Sequence, residues 1–130
     1  MKEPIWIEAR DALVLHDRLL ALDGGAPDVR DMGLLESALA RPRQHLAYGT
    51  KSSIVELAAI YTQAIVRNHP FVDGNKRTAF LLGVLFLELN GLRFTAAEAD
   101  AAQAMISLAA GELTETEYEA FLGANVEQDS

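Results

Sequence analysis

The chain contains no cysteine. That excludes disulfide staples, thiolate zinc sites and cysteine nucleophiles. Long apolar runs are also missing. The longest, Ala79 to Leu87, is too short to span a bilayer. No cationic-then-apolar leader opens the chain, and Lys2-Glu3-Pro4 is a poor start for one. A cytoplasmic protein without membrane attachment is therefore expected. No repeat, linker or low-complexity stretch interrupts the 130 residues, which fit one domain over 1–130. A domain of this length buries about two-thirds of its unfolded surface, enough for a core without staples. No histidine pair sits at metal-ligand spacing on one face, so a structural metal is not expected.

Positive charge is absent from the last third. Residues 94–130 hold eight Asp/Glu and no Lys/Arg, matching the whole net charge of −8. Residues 1–30 carry −2, residues 31–65 carry none, and residues 66–93 carry +2. Net negative charge disfavours nonspecific nucleic-acid binding. A nucleic-acid-cleaving activity is further disfavoured by the lack of a carboxylate cluster. The locally basic stretch suits a small anion better than a DNA backbone.

The pattern is helical nearly throughout, giving an all-α fold of about six helices. Residues 8–22 place Ala12, Leu15, Leu19 and Leu22 on one stripe. Asp23-Gly24-Gly25-Ala26-Pro27-Asp28 reads as a stop and loop, a plain turn by default and otherwise a mobile flap. Gly33 to Ala40 reads as a short helix ended by Arg41-Pro42. Arg41, Arg43 and His45 read as an ordinary helix end, or else as a basic rim. Ser53-Ile54-Val55-Glu56 is a capping box opening a helix that ends near Asn68. The most apolar helix follows, about Gly74 to Asn90. Thr95-Ala96-Ala97-Glu98 and Thr114-Glu115-Thr116-Glu117 are two more capping boxes, opening helices to about Gly111 and Gly123. Ile5-Trp6-Ile7 could be extended, and nothing else argues for a sheet.

The apolar helix starts unlike the others. The three boxes put Glu at the third helical position. Here, with Asp73 as the expected cap, that position holds Lys76, followed by Arg77. Helix N-termini carry partial positive charge, so each cation costs about 0.3–1 kcal/mol there. Functional sites are where such rule-breaking is expected. The simplest compensation is a bound anion, held by free first-turn N–H groups and two cations.

The bland reading is a capped start with solvated cations and an incidental His69. The functional reading gives each residue a task. His69 has an ordinary pKa of about 6.5, suited to deprotonating a hydroxyl. Asp73 caps the helix or holds a divalent cation; Mg²⁺ uses one or two carboxylates plus substrate phosphates. Gly74 permits close ligand approach. Asn75 orients a phosphate or the loop itself. Lys76 and Arg77 suit phosphate as point charge and planar fork. Phe71 plugs the loop into the core. Arg67, two residues before His69, either faces the same pocket or is solvated. His16, beside Asp17, reads as structural or surface.

The nine residues His69-Pro70-Phe71-Val72-Asp73-Gly74-Asn75-Lys76-Arg77 resemble the Fic/Doc (Fido) superfamily signature, His-x-Phe-x-Asp/Glu-Gly/Ala-Asn-Gly/Lys-Arg. Leu15-His16-Asp17, Gly24-Gly25-Ala26-Pro27, Leu34-Leu35-Glu36-Ser37-Ala38-Leu39 and Arg67-Asn68-His69 resemble its death-on-curing (Doc) branch, toxins of toxin–antitoxin pairs. The resemblance implies a compact all-α fold with a central helix carrying the motif at its N-terminus. It implies His69 as general base, Asp73 holding Mg²⁺ through nucleotide phosphates, and Asn75, Lys76 and Arg77 on phosphate. Lys76 and Phe80 depart from the AMP-transferring pattern, which has Gly and a second Arg there. The Doc branch shares both departures. By that likeness the chain is expected to be a kinase that uses Mg²⁺ and ATP in reversed orientation. Its expected target is elongation factor Tu, modified on a hydroxyl, and its expected partner a neutralising antitoxin. A transferase of AMP or UMP, or a Fido binding module without turnover, are the alternatives.

Overall fold

The computed structural model describes residues 3–49 and 52–129. Met1 and Lys2, part of the stretch read as a poor leader, lie outside the described residues. Six helices dominate: α1 (Ala9–Asp23), α2 (Met32–Tyr48), α3 (Ile54–Asn68), α4 (Asn75–Leu89), α5 (Glu98–Ala109) and α6 (Glu115–Ala124). The fold is mostly helical, as the sequence periodicity predicts. No helix among the described residues is long and apolar enough to cross a membrane.

α3 and α4 pair at the centre, with α2 and α6 packed on α3 and α1 on α4. Gly83 permits that closeness. A Cβ there would lie 2.4 Å from Thr62 Oγ1 and 3.2 Å from the Ala58 carbonyl. Thr62 Oγ1 also donates to the Ala79 carbonyl at 2.8 Å, so a buried hydroxyl is satisfied across the seam. Leu57, Ile65, Leu82 and Phe86 are fully buried around it. Each such side chain contributes about 1.5–3 kcal/mol. Burial pushes the Tyr61 and Tyr118 phenols up to about 12. Tyr61 still has a polar task, since its hydroxyl accepts from the Ile7 N–H at 3.0 Å.

Four expectations need correction. A small antiparallel sheet is present: β1 (Leu92–Phe94) pairs with β2 (Val126–Gln128), Leu92 opposite Gln128. Three residues per strand are too few to show a period. The pairing is extended by Thr95 N–H to the Asn125 carbonyl and Asp129 N–H to the Gly91 carbonyl.

Next, Thr95 serves that sheet and does not cap α5. The helix begins at Glu98 behind Ala97, which makes no side-chain cap. At α3 only half the box forms. Ser53 Oγ accepts from the Glu56 N–H, while the Glu56 carboxylate faces His45 at 3.4 Å. The Thr114 box closes both ways, at 3.1 and 2.8 Å.

Lastly, α2 does not stop at Pro42 but runs through it to Tyr48. An interior proline removes one helix hydrogen bond and costs about 3 kcal/mol. Tertiary contacts beyond it offset that. Arg43 pairs with Glu8 at 2.5 Å and covers Trp6 at 5.4 Å, and Leu46 packs on the core. Arg43 is thus engaged at the start of α1, and His45 faces Glu56 at the start of α3, the opposite end of that helix from His69.

Candidate anion site at the start of α4

His69 is the C-cap of α3, with φ 51° and ψ 55°. It is the one non-glycine residue with positive φ among those described. A left-handed conformation costs about 1–2 kcal/mol for a residue with a Cβ. The neighbourhood holds it there. Its N–H donates to the Ile65 carbonyl at 3.0 Å. Arg30 donates from Nε to the His69 carbonyl at 2.8 Å and from Nη2 to the Asn68 carbonyl at 3.0 Å. Those carbonyls end a helix, where a guanidinium also meets the negative end of the dipole. The Arg30 and Asp31 N–H groups both donate to the Pro70 carbonyl, at 2.7 and 3.0 Å. Val72 N–H donates to the Asp28 carbonyl, and Val29 bridges Phe71. The His69 side chain is left exposed.

Phe71 then turns inward and is fully buried. Its ring stacks on His16 with centroids 3.7 Å apart. His16 is itself buried and donates from Nε2 to the Asp73 carbonyl at 2.8 Å. A carbonyl only accepts, so that nitrogen carries the proton. His16 is therefore structural: it supports the loop from below.

Asp73 is not the cap expected from sequence. The N-cap is Gly74, at φ 79°, and it makes no side-chain bond. A Cβ at Gly74 would meet Leu20 Cδ2 at 2.8 Å. The Asp73 carboxylate faces the 24–31 loop instead, where Oδ2 accepts from the Ala26 N–H at 2.9 Å. The glycine turn after α1 thus lies against the motif loop.

Asn75 acts on the loop. Its Oδ1 accepts from the Phe71 N–H at 3.0 Å, and its Nδ2 donates to the Phe71 carbonyl at 2.9 Å. The side chain is 5% exposed and closes residues 71–75 into a ring. Any phosphate contact from this residue falls to its backbone N–H.

The first turn of α4 is open. Its first helical hydrogen bond runs from Thr78 N–H to the Gly74 carbonyl. Among the described residues, no acceptor meets the N–H groups of Asn75, Lys76 or Arg77. Lys76 is exposed and has no ion-pair partner among them. Arg77 Nη1 pairs with Asp23 Oδ2 at 2.8 Å, with both side chains nearly half exposed. Such a surface pair contributes at most about 1 kcal/mol and yields readily to a stronger anion.

These groups surround a cavity of about 400 Å³, lined by His69 and residues 72–77. Arg67 does not line it; it is exposed on the last turn of α3. The cavity joins a free imidazole, one carboxylate, two cations and three unused amides. That donor set suits a phosphate chain. No group of three His, Cys, Asp or Glu side chains fit for a metal exists among the described residues. Any metal here would rest on Asp73 and on ligand oxygens, which is an ordinary Mg²⁺ arrangement.

Arg30, Leu20 and Asp23 are site residues that sequence reasoning misses. Their partners lie far along the chain, 39 residues away for Arg30 and 54 for Asp23. No local spacing marks them.

Comparison with known proteins places these features in a family. A model of the Fic/DOC family matches residues 6–87, which include the whole anion cavity. Protein kinase doc of Escherichia phage P1 is 36% identical over 87 residues, 67% of this chain and 69% of that protein. Toxin Doc of Mycolicibacterium smegmatis strain ATCC 700084 is 45% identical over 75 residues, 56% of this chain and 57% of that protein. The aligned part thus spans little more than half of the mycobacterial relative.

Proposed function

The chain belongs to the Fic/DOC family, and from that premise we propose that it is a toxin that phosphorylates a protein hydroxyl with ATP, elongation factor Tu being the first target to test. The carrying observation is the open start of α4 beside His69. Three unused amides and an unpaired Lys76 converge there on one cavity. The likeness to a protein named as a kinase sets the reaction class.

In this reading the triphosphate lies over the first turn of α4. The backbone N–H groups of Asn75, Lys76 and Arg77 donate to phosphate oxygens, and the Lys76 ammonium and Arg77 guanidinium offset their charge. Arg77 exchanges Asp23 for phosphate. Gly74, lacking a Cβ, lets the chain approach the backbone. Asn75 keeps the loop closed. Asp73 has one carboxylate oxygen on the Ala26 N–H, leaving the other for Mg²⁺. When bound, Mg²⁺ neutralises charge on the β- and γ-phosphates. His69 removes the proton from the target hydroxyl as that oxygen attacks the γ-phosphorus. The bond from γ-phosphorus to the bridging oxygen breaks, and ADP departs. Positioning and charge stabilisation suffice for such a transfer. An antitoxin that covers the site is the expected partner, since the activity would arrest translation in its own host.

Incubation with labelled ATP and purified elongation factor Tu tests the reading. Label from the γ-phosphate on the factor supports kinase action, and label from the α-phosphate indicates nucleotidyl transfer. His69→Ala should lower transfer by about 10²–10⁴-fold, the usual contribution of a general base. Growth arrest that survives His69→Ala would point to a binding module without turnover.

A further inference from the structure

The imidazole of His69 is exposed, and nothing among the described residues bonds to its ring. A side-chain base is ordinarily oriented by a third group that holds the far nitrogen of its ring. His69 has no such group, so its main chain decides where the ring points.

That main chain works against two preferences. His69 lies in the left-handed region at φ 51° and ψ 55°, which a Cβ makes costly. Pro70 follows it, and a residue before proline is pushed toward extended backbone. One side chain spans the place where the two preferences are overridden. Arg30 Nη2 donates to the Asn68 carbonyl at 3.0 Å, and its Nε donates to the His69 carbonyl at 2.8 Å. These two carbonyls belong to the rigid peptide planes on either side of the His69 Cα. The φ and ψ of His69 are the rotations between those planes. A planar fork that holds both carbonyls therefore holds both angles. Relaxing them would turn the Cα–Cβ bond and carry the imidazole with it.

The frame behind the fork stands apart from α4. The Arg30 and Asp31 N–H groups meet the Pro70 carbonyl, and Asp31 Oδ1 caps α2 through the Leu34 N–H at 3.0 Å. Asn68 Nδ2 donates to the Leu34 carbonyl at 2.9 Å, which ties the end of α3 to the same turn. Arg30 is itself exposed, so it fills no space in the core.

We propose that Arg30 is a positioning residue: by gripping the peptide planes on both sides of His69, it aims an imidazole that no side chain orients. The inference rests on the reading of His69 as the base, and adds what orients it.

Arg30→Met keeps an apolar stem and removes the fork. With ATP and elongation factor Tu it should lower kcat roughly 10- to 100-fold, within the cost of misplacing a reacting group by about 1 Å. The KM for ATP should not change. Rates are taken per folded molecule, with the folded fraction read from thermal melts. In a His69→Ala background, Arg30→Met should change the residual rate by less than about twofold, because the ring it acts through is gone. Arg30→Lys keeps the charge without the fork and should recover only part of the loss. A crystal structure of Arg30→Met should show His69 outside the left-handed region.

The inference is overturned if Arg30→Met keeps the wild-type kcat or acts on the KM for ATP alone. It is equally overturned if the His69→Ala background slows by the same factor, which is the mark of a merely structural role. Full activity in Arg30→Lys, or His69 still left-handed in Arg30→Met, would also end it. Should the wild-type chain transfer no phosphate, the kinase reading fails and the catalytic consequence with it. The His69 conformation in Arg30→Met then still decides whether the fork sets that residue.

Discussion

The starts of α6 and α4 solve the same problem in opposite ways. Each helix must deal with N–H groups that have no partner inside it. At α6, Thr114 Oγ1 accepts from the Glu117 N–H, and Glu117 accepts from the Thr114 N–H. Glu115 and Glu117 add negative charge in the first turn. Those hydrogen bonds from Thr114 hold the Glu117 carboxyl below its ordinary range. At α4 there is neither a side-chain cap nor a carboxylate in the first turn, and Lys76 and Arg77 stand there instead. Every other helix has at least one of those two features. One end is closed by its own side chains and the other is left open. Both lie in one chain, so the contrast cannot be ascribed to different conditions of selection for solubility or temperature.

The contrast can be broken most forcefully by making α4 conventional. Lys76→Glu should raise stability by about 0.3–1 kcal/mol through the helix dipole. It should also lower nucleotide-dependent transfer by at least about a hundredfold, the scale of one lost electrostatic contact to a reacting group. Thermal melts and transfer assays on one preparation read both. A variant that is both less stable and fully active would remove the case for an anion site.

A smaller effect separates the loop from the helix start. Asn75→Ala leaves the buried Phe71 N–H and carbonyl without partners, at about 1–3 kcal/mol each. Urea unfolding should show a loss of about 2–6 kcal/mol. Asn75→Asp keeps the acceptor and loses the donor, so it should fall between Asn75→Ala and the wild-type chain. Equal loss in both variants would mean that the ring closed by Asn75 is not what holds the loop.

The smallest effect sharpens the comparison from the other side. Thr114→Ala should cost about 1 kcal/mol, a normal cap loss. Transfer activity per folded molecule should not change. A drop in activity would tie α6 to the chemistry, against the geometry described above.

How much of this was legible in the sequence differs by element. The apolar stripes gave the helices because their partners lie one turn away. Lys76 and Arg77 were legible as an anomaly because helix-start chemistry is local. The matching boxes were less uniform than their letters suggest. Thr95 has a capping residue's identity, yet its N–H goes to the Asn125 carbonyl, just before β2. Glu56 sits at the right position, yet its carboxylate faces His45. Pro42 read as a stop, and tertiary contacts from Arg43 and Leu46 overrode it. Asn75 was readable as a loop or phosphate residue but not as one rather than the other. That choice rests on the Phe71 main chain, which spacing does not position.

The ties that fix the anion site have a consequence for the order of synthesis. Arg30, Asp28, Ala26 and His16 all precede the motif they hold, by 39 to 57 residues where they bond to it through side chains. Every residue lining the cavity at the start of α4 has therefore been made once Arg77 leaves the ribosome. A second, mostly apolar cavity of about 630 Å³ shares Lys76 and Arg77 with the first, and its α5 wall comes later, beginning at Glu98. At about 5–20 residues per second, that interval is of the order of seconds. A nascent chain would thus complete the lining of the polar cavity before the apolar wall beside it exists.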